Sequence, residues 1–145
     1  MELRVRDIMT TDVRTIHRQA PMRIAIHKMQ VNAIRHLPVV DDLGMLIGLV
    51  SKRDALRHLA NALFGEIKQP GETPCEEVMV ARPLTISPDA TLQLAAKLLA
   101  ENRYGCLPVV ESKSQIVGII SVVDLLQIMA GEPCSISREA VASSE

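Results

Sequence analysis

The feature that most constrains the fold of this chain is an internal repeat. Residues 9–58 match residues 79–128 without a gap, so equivalent residues lie 70 positions apart. The residues of the first copy that are identical in the second are Met9, Thr15, Ile16, Ala20, Ala25, Asn32, Leu37, Pro38, Val39, Val40, Gly48, Ser51, Asp54 and Leu56. Since the chain has 145 residues, the duplication predicts two small equivalent supersecondary units and leaves little room for anything else.

Each copy shows the same succession of hydrophobic periods. A short extended segment comes first, at Thr15-Ile16 and at Thr85-Ile86. Apolar residues then recur at i, i+3, i+4 and i+7, which predicts an amphipathic helix in each copy. The residues of this pattern are Met22, Ala25, Ile26 and Met29 in the first copy and Leu92, Ala95, Ala96 and Leu99 in the second.

A hairpin and a second helix complete each copy. Apolar stretches flank a polar turn at 37–50 and again at 107–120, and a helix is expected from Ser51 and from Ser121. Each copy is therefore β-α-β-β-α, which gives an α/β (α+β) fold of tandem repeats with pseudo-twofold symmetry and paired sheets flanked by helices. Because about 55 residues bury too little apolar surface alone, the copies should pack together around a cleft.

The boundaries follow from chain breakers between the copies. We expect a first domain at 5–64, a linker at 65–74, a second domain at 75–131 and a flexible tail at 132–145. In the linker, Thr73 is predicted to cap a short helix that has Pro74 in its first position and Glu76 in a capping box.

Composition excludes several classes of protein. The formal net charge is −1, which argues against nucleic acid as a ligand, and no apolar run approaches the roughly 20 residues of a membrane span. Three scattered cysteines and the lack of a signal-peptide pattern lead us to expect a cytoplasmic protein. The histidines lack metal-ligand spacing, and no known nucleophile or phosphate-loop motif occurs, so we expect neither a metal, a catalytic cofactor nor an enzyme.

The duplicated Ser-x-x-Asp of residues 51–54 and 121–124 has two interpretations. It is a helix capping box, in which hydroxyl and carboxylate satisfy N–H groups of the first turn. The same geometry also suits a nucleotide, because a helix N-terminus accepts phosphate and a carboxylate accepts hydrogen bonds from ribose hydroxyls. Lys52 and Arg53 add positive charge in the first copy only, where they are either phosphate ligands or part of a solvated face.

Three features together resemble the cystathionine-β-synthase (CBS) domain pair, or Bateman module. They are an apolar residue four positions before Met9 and Met79, the Leu-Pro-Val-Val strands, and the duplicated Gly-x-x-Ser-x-x-Asp. The resemblance covers roughly residues 5–130. It implies a half-disc of two CBS domains that dimerises into a disc and binds adenosine-containing ligands in its clefts.

The resemblance also implies two crossed sites. In one, Asp124 and Ser121 face Thr15, Ile16, Ile34, Arg35 and His36. In the other, Asp54, Ser51, Lys52 and Arg53 face Thr85, Ile86, Tyr104, Gly105 and Cys106. The aspartate would bind the ribose, backbone groups near Ile16 or Ile86 the adenine edge, and the basic residues the phosphates. Tyr104 is either an adenine contact or a packing residue at the strand edge.

The sequence therefore predicts a stand-alone regulatory module and energy sensor. Its ligand would be AMP, ADP, ATP or S-adenosylmethionine, and it would act on an unidentified partner protein by changing its shape or its homodimer contacts. The alternative is a structural dimerisation module with no nucleotide ligand, in which the Ser-x-x-Asp pairs only cap helices.

Overall fold

The structure, a computed structural model, describes residues 2–65 and 67–131, except for the side chain of Lys113. The elements are α1 (Val5–Ile8), β1 (Ile16–His17), α2 (Met22–Val31), β2 (His36–Val40), β3 (Leu46–Ser51), α3 (Lys52–Leu63), α4 (Cys75–Val78), β4 (Val80–Ala81), α5 (Leu92–Glu101), β5 (Cys106–Glu111), β6 (Gln115–Ser121) and α6 (Val122–Met129). Short 3₁₀ turns lie at Pro70–Glu72 and Ser112–Ser114. The predicted mixed fold of sheets flanked by helices is confirmed, and the first copy shows the expected order of elements. In the second copy, the expected first strand at Thr85-Ile86 is a single bridge between Ile86 and Val109.

The described residues form two compact units. The four-stranded unit comprises residues 14–83 and 112–116. The two-stranded unit comprises residues 2–13, 84–111 and 117–131. Each unit is built mainly on one copy of the repeat.

The four-stranded unit contains a sheet in the order β1-β2-β3-β4. Strand β1 runs parallel to β2, with Ile16 opposite Val39, and the other pairs are antiparallel. The predicted stripe of α2 packs against the sheet, because Met22, Ala25 and Met29 are all buried. Pro21 is the N-cap residue of α2.

The two-stranded unit contains β5 and most of β6, which form an antiparallel pair extended by two isolated bridges. Ile86 pairs parallel to Val109, as Ile16 does to Val39, and Thr10 pairs antiparallel to Ile119. The core of this unit consists of Val5, Ile8, Ile86, Ala95, Leu99, Leu107, Val109 and Ile120. It is entirely aliphatic, as the near absence of aromatic residues requires.

Each unit includes the short helix that precedes the other copy in the sequence. Cys75 of α4 lies in the core of the four-stranded unit, and Val5 of α1 lies in the core of the two-stranded unit. Met79, which follows α4, covers Gly48 of β3, and Met9 covers Gly118 of β6 in the same way. The repeated Met and Gly residues are therefore partners in packing.

The predicted capping box of α4 is wrong. The helix begins at Cys75 with Pro74 as its N-cap residue, and no side chain caps it. The Thr73 hydroxyl instead lies 3.0 Å from Nε2 of His58 on α3, because the extended backbone of Pro74 moves Thr73 away from the helix start. The predicted tail at 132–145 lies outside the described residues. Across the described ranges, no helix has the length and apolar character that crossing a membrane requires.

Candidate functional site

In the four-stranded unit, one edge of the sheet gathers most of the candidate residues of the first copy. His36, at the start of β2, pairs with Ser51 at the end of β3, and the Arg35 carbonyl accepts the Lys52 N–H at 2.8 Å. Strand β1 does not reach this end of β2, because Ile16 and His17 pair with Val39 and Val40. We call the region of residues 34–36 and 51–54 the Ser51 edge.

The Ser51 edge contains a complete capping box. The Ser51 hydroxyl accepts the Asp54 N–H at 3.0 Å, and Asp54 Oδ2 accepts the Ser51 N–H at 2.9 Å. The Asp54 side chain is only 11% exposed, and its Oδ1 lies 4.0 Å from Arg57 Nη1. The capping interpretation is therefore confirmed. The cap engages one of the two carboxylate oxygens of Asp54.

Donors and positive charge surround this cap. Two of the first three N–H groups of α3 have protein acceptors, whereas the Arg53 N–H has none among the residues that the structure describes. The side chains of Arg35, Lys52 and Arg53 are exposed. A helix N-terminus with an unused N–H and local cations is an environment that favours an anion.

The Ser121 edge, residues 104–106 and 121–124 of the two-stranded unit, repeats this backbone geometry, and Ile86 likewise pairs farther along the strand, with Val109. The Ser121 hydroxyl accepts the Asp124 N–H at 3.2 Å, and Asp124 Oδ2 accepts the Ser121 N–H at 2.8 Å. Gly105 provides the carbonyl that accepts the Val122 N–H at 2.9 Å. Asp124 is 1% exposed, so this carboxylate is held more deeply than Asp54.

The side chains of the Ser121 edge are less polar. Valines occupy positions 122 and 123. The neighbouring strand β5 begins with the buried Cys106. Burial, with a smaller contribution from the charge of Asp124, raises the pKa of the Cys106 thiol to about 12. At neutral pH Cys106 is therefore a neutral, weakly polar side chain and not a nucleophile.

Sequence reasoning missed two residues that contact candidate site segments. Asn102 Nδ2 donates to the Cys106 carbonyl at 2.7 Å, and its Oδ1 accepts the Tyr104 N–H at 3.0 Å, which fixes the loop before β5. The identity of Asn32 and Asn102 in the repeat was a signal for a structural role. Lys28 of α2 donates from Nζ to the Thr15 carbonyl at 2.6 Å. The equivalent residue of the second copy is Leu98.

The structure thus groups the predicted site residues by copy. The four-stranded unit holds Thr15, Ile16, Ile34, Arg35, His36, Ser51, Lys52, Arg53 and Asp54, and the two-stranded unit holds Thr85, Ile86, Tyr104, Gly105, Cys106, Ser121 and Asp124. Ile16 and Ile86 are buried, and Tyr104 is half-buried. The crossed pairing of residues from the two copies stays a prediction. No group of three potential metal ligands occurs within residues 2–65 and 67–131.

Comparison with known proteins identifies the family. The sequence model of the CBS domain matches residues 5–61 and 75–131, so the chain belongs to the family of CBS domain proteins and contains a pair of these domains. Both matched segments end within or just after the helix that follows Ser-x-x-Asp.

Several relatives share this architecture over most of their length. The CBS domain-containing protein YhcV of Bacillus subtilis is 33% identical over 122 residues, which cover 83% of this chain and 81% of that protein. The structure of the AcuB protein of Vibrio cholerae has 34% identity and a TM-score of 0.78, covering 90% of this chain and 93% of its own. CBSX2, a CBS-pair protein of Arabidopsis thaliana, was solved in complex with AMP; it has 26% identity, a TM-score of 0.77 and coverage of 88% and 96%.

Other relatives are longer enzymes. The chain is 30% identical to the homoserine O-acetyltransferase of Methanosphaerula palustris over 129 residues, which cover 89% of this chain but 24% of that enzyme. The chain thus spans about a quarter of the length of the first such relatives.

Proposed function

We propose that this chain is a regulatory module that binds an adenosine-containing ligand, namely AMP, ADP, ATP or S-adenosylmethionine, and that it is not an enzyme. The observation that carries the proposal is the paired geometry of the two edges. In each unit a carboxylate is fixed by its own helix cap beside the start of the second strand. CBSX2, solved with AMP, supports adenosine as the common part of the ligand.

The cap explains how such a carboxylate would recognise ribose. The Ser51 N–H holds Oδ2 of Asp54 at 2.9 Å, so the carboxylate is oriented before a ligand arrives. Ribose offers two neighbouring hydroxyl donors, and an ionised carboxylate is an acceptor with more than one lone pair on each oxygen. The capping and binding interpretations of Ser-x-x-Asp are therefore compatible in the same residue.

A thermal melt of the full chain tests this proposal. Adenosine, AMP, ADP, ATP and S-adenosylmethionine would be added separately and unfolding followed by circular dichroism, since the chain has no Trp. Ligand at about 100 times its Kd adds roughly 2.7 kcal/mol, which corresponds to a shift of several degrees. The variants Asp54→Asn and Asp124→Asn keep an oxygen for the cap and remove the charge. A shift that is unchanged in both, or no shift with any compound, would overturn the proposal.

A specific observation supports the second candidate function, dimerisation. Exposed apolar residues recur at i, i+3 and i+7 on α3, where Leu56, Leu59 and Leu63 are 58%, 38% and 86% exposed. In the two-stranded unit, α5 and α6 border an apolar groove of about 480 Å³. Leu126 and Met129, the repeat partners of Leu56 and Leu59, line this groove. A homodimer would bury these stripes, and a ligand-sensitive dimer that acts on a cytoplasmic partner would combine both functions.

A further inference from the structure

Helix α3 presents protruding apolar side chains on the side away from its core contact. Leu56 and Leu63, seven residues apart and so on one face, are 58% and 86% exposed. Phe64, the C-cap residue and the single phenylalanine of the chain, is 83% exposed. The inward side of the helix is marked by the buried Ala55. These three exposed side chains project from one helix, whereas the apolar residues of α5 and α6 line a groove.

Three cations lie on the exposed surface of the same helix. Lys52 and Arg53 begin α3, Arg57 follows one turn later, and all three are exposed. In the part of the chain that the structure describes, no carboxylate oxygen lies within 4.0 Å of the Lys52 or Arg53 side chain. Arg57 has one carboxylate at that limit, Asp54, which is only 11% exposed. We call the three cations and the three apolar residues together the α3 face.

The positive charge of the α3 face is absent from the second copy. Val122, Val123 and Gln127 of α6 stand at the positions equivalent to the three cations. Both helices nevertheless begin with the same capping box. The repeated fold therefore does not require these charges, although they concentrate positive charge locally on a chain whose formal net charge is −1.

The combination of protruding apolar groups and unbalanced cations favours one kind of partner. A symmetric contact between two α3 faces would bring two sets of three cations together, and like charges repel. A helix from another protein is usually received in an apolar groove, which protruding side chains do not form. A bilayer with anionic headgroups suits both features, because its boundary region accepts the apolar side of an amphipathic helix and its negative potential attracts Lys and Arg.

We propose that the α3 face docks this module reversibly on an anionic membrane surface. Its three apolar side chains enter the boundary between headgroups and acyl chains, and its three cations lie against the lipid phosphates. The contact does not involve an adenosine ligand, and it leaves the groove of α5 and α6 free for a second copy.

Sedimentation of the full chain with lipid vesicles tests the proposal. One set of vesicles contains phosphatidylcholine alone, and the other contains equal parts of phosphatidylcholine and phosphatidylglycerol. We expect partitioning onto the anionic vesicles at about 0.01 M salt, and partitioning at least about tenfold weaker onto phosphatidylcholine alone or at about 1 M salt, where charges are screened.

Charge variants test the cations. Arg57→Gln introduces the residue of the second copy and should weaken partitioning about fivefold, as expected for one cation near an anionic surface. Lys97→Gln, which removes an exposed lysine of α5, is the matched control and should leave partitioning unchanged.

Apolar variants test the insertion. The double variant Leu63→Ser with Phe64→Ser changes only exposed side chains, so it should fold, and it should weaken partitioning at least about tenfold. Leu43→Ser, at an 82% exposed position in the turn between β2 and β3, is its control. Because the chain has no Trp, Phe64→Trp provides a single fluorescent reporter. Its emission should shift to shorter wavelength with anionic vesicles, and that of Leu43→Trp should not.

Each outcome decides the proposal. Absence of sedimentation with anionic vesicles at low salt would overturn it, and so would equal partitioning of the double variant and the wild type. If the double variant changes the light-scattering mass from dimer to monomer and partitions like the wild type, a second copy covers the α3 face and the proposal is wrong. The vesicle measurements contain no nucleotide, so their result is independent of whether adenosine compounds bind.

Discussion

The side chain of Met79 lies directly over the α-carbon of Gly48, so that a β-carbon built on Gly48 would overlap the methionine sulfur and come within 3.1 Å of the Val80 carbonyl oxygen. This contact joins the segment after α4 to strand β3, to which β4 also pairs. The same relationship holds between Met9 and Gly118. Both contacts depend on the absence of a side chain at the glycine.

Substitution of Gly48 by alanine should therefore destabilise the chain by about 1–3 kcal/mol through overpacking. Urea denaturation followed by circular dichroism measures the change. Gly71→Ala is the control, because its added β-carbon would meet only Arg23 Cβ at 3.4 Å, an ordinary contact. In a Met79→Ala background, the cost of Gly48→Ala should shrink, and equal costs in the two backgrounds would contradict the packing relationship.

Substitutions of Ser51 and of Asp54, the two residues of the cap, should affect stability and ligand binding to different extents. Ser51→Ala removes the acceptor of the Asp54 N–H and should cost about 0.5–2 kcal/mol in the free energy of unfolding. Asp54→Asn retains an oxygen for the Ser51 N–H, so its cost should be smaller, yet it should remove the ligand-induced shift in Tm. Denaturant titration and ligand melts on both variants test this. A larger loss of stability for Asp54→Asn than for Ser51→Ala would argue that the carboxylate charge is primarily structural.

The buried thiols predict an alkaline loss of stability. Burial raises the pKa of Cys75 to about 11 and that of Cys106 to about 12, against an ordinary value of 9.0. Above pH 9 the unfolded chain therefore loses these protons before the folded chain does, and stability falls as pH rises from about 9 through these folded-state values. Cys106→Ala should flatten the decline of Tm between pH 9 and 10.5, measured relative to its own value at pH 7. A decline as steep as in the wild type would show that Cys106 does not cause it.

The exposed stripes predict a change of oligomeric state. Leu126→Glu and Met129→Glu place charges in the apolar groove of α5 and α6, at side chains that are 55% and 83% exposed. Such substitutions should leave the monomer folded and shift light-scattering mass from dimer to monomer. Leu43→Glu is the matched control, since Leu43 is 82% exposed in the turn between β2 and β3. A wild-type mass equal to that of one chain at all concentrations would contradict dimerisation.

Local pattern was enough to predict much of the fold. The stripe of Met22, Ala25 and Met29 predicted α2, and the turn after Val40 predicted a hairpin, because both signals are contained within about ten residues. The Ser51 and Ser121 caps were also readable, since a capping box is defined by a spacing of three. The duplication strengthened each of these predictions, because the same pattern occurs in both copies.

Features that depend on tertiary contacts were not predicted. Thr73 was expected to cap α4, but its hydroxyl meets His58 from α3, fifteen residues earlier in the chain. Lys28 lies among the residues of an amphipathic helix, and no local pattern showed that its ammonium would reach Thr15. The order of residues along the chain likewise does not reveal which unit a short helix such as α4 joins.

The placement of α4 and α1 has a consequence for synthesis on the ribosome. The core of the four-stranded unit includes Cys75, so a nascent chain that has emerged only as far as α3 still lacks part of that core. The core of the two-stranded unit is completed later in synthesis, because Val5 and Ile8 pack in the same core as Ile120. Val5 and Ile8 therefore complete their packing only after Ile120 has been synthesised. A break between the copies would leave each fragment without a short apolar helix that its core contains.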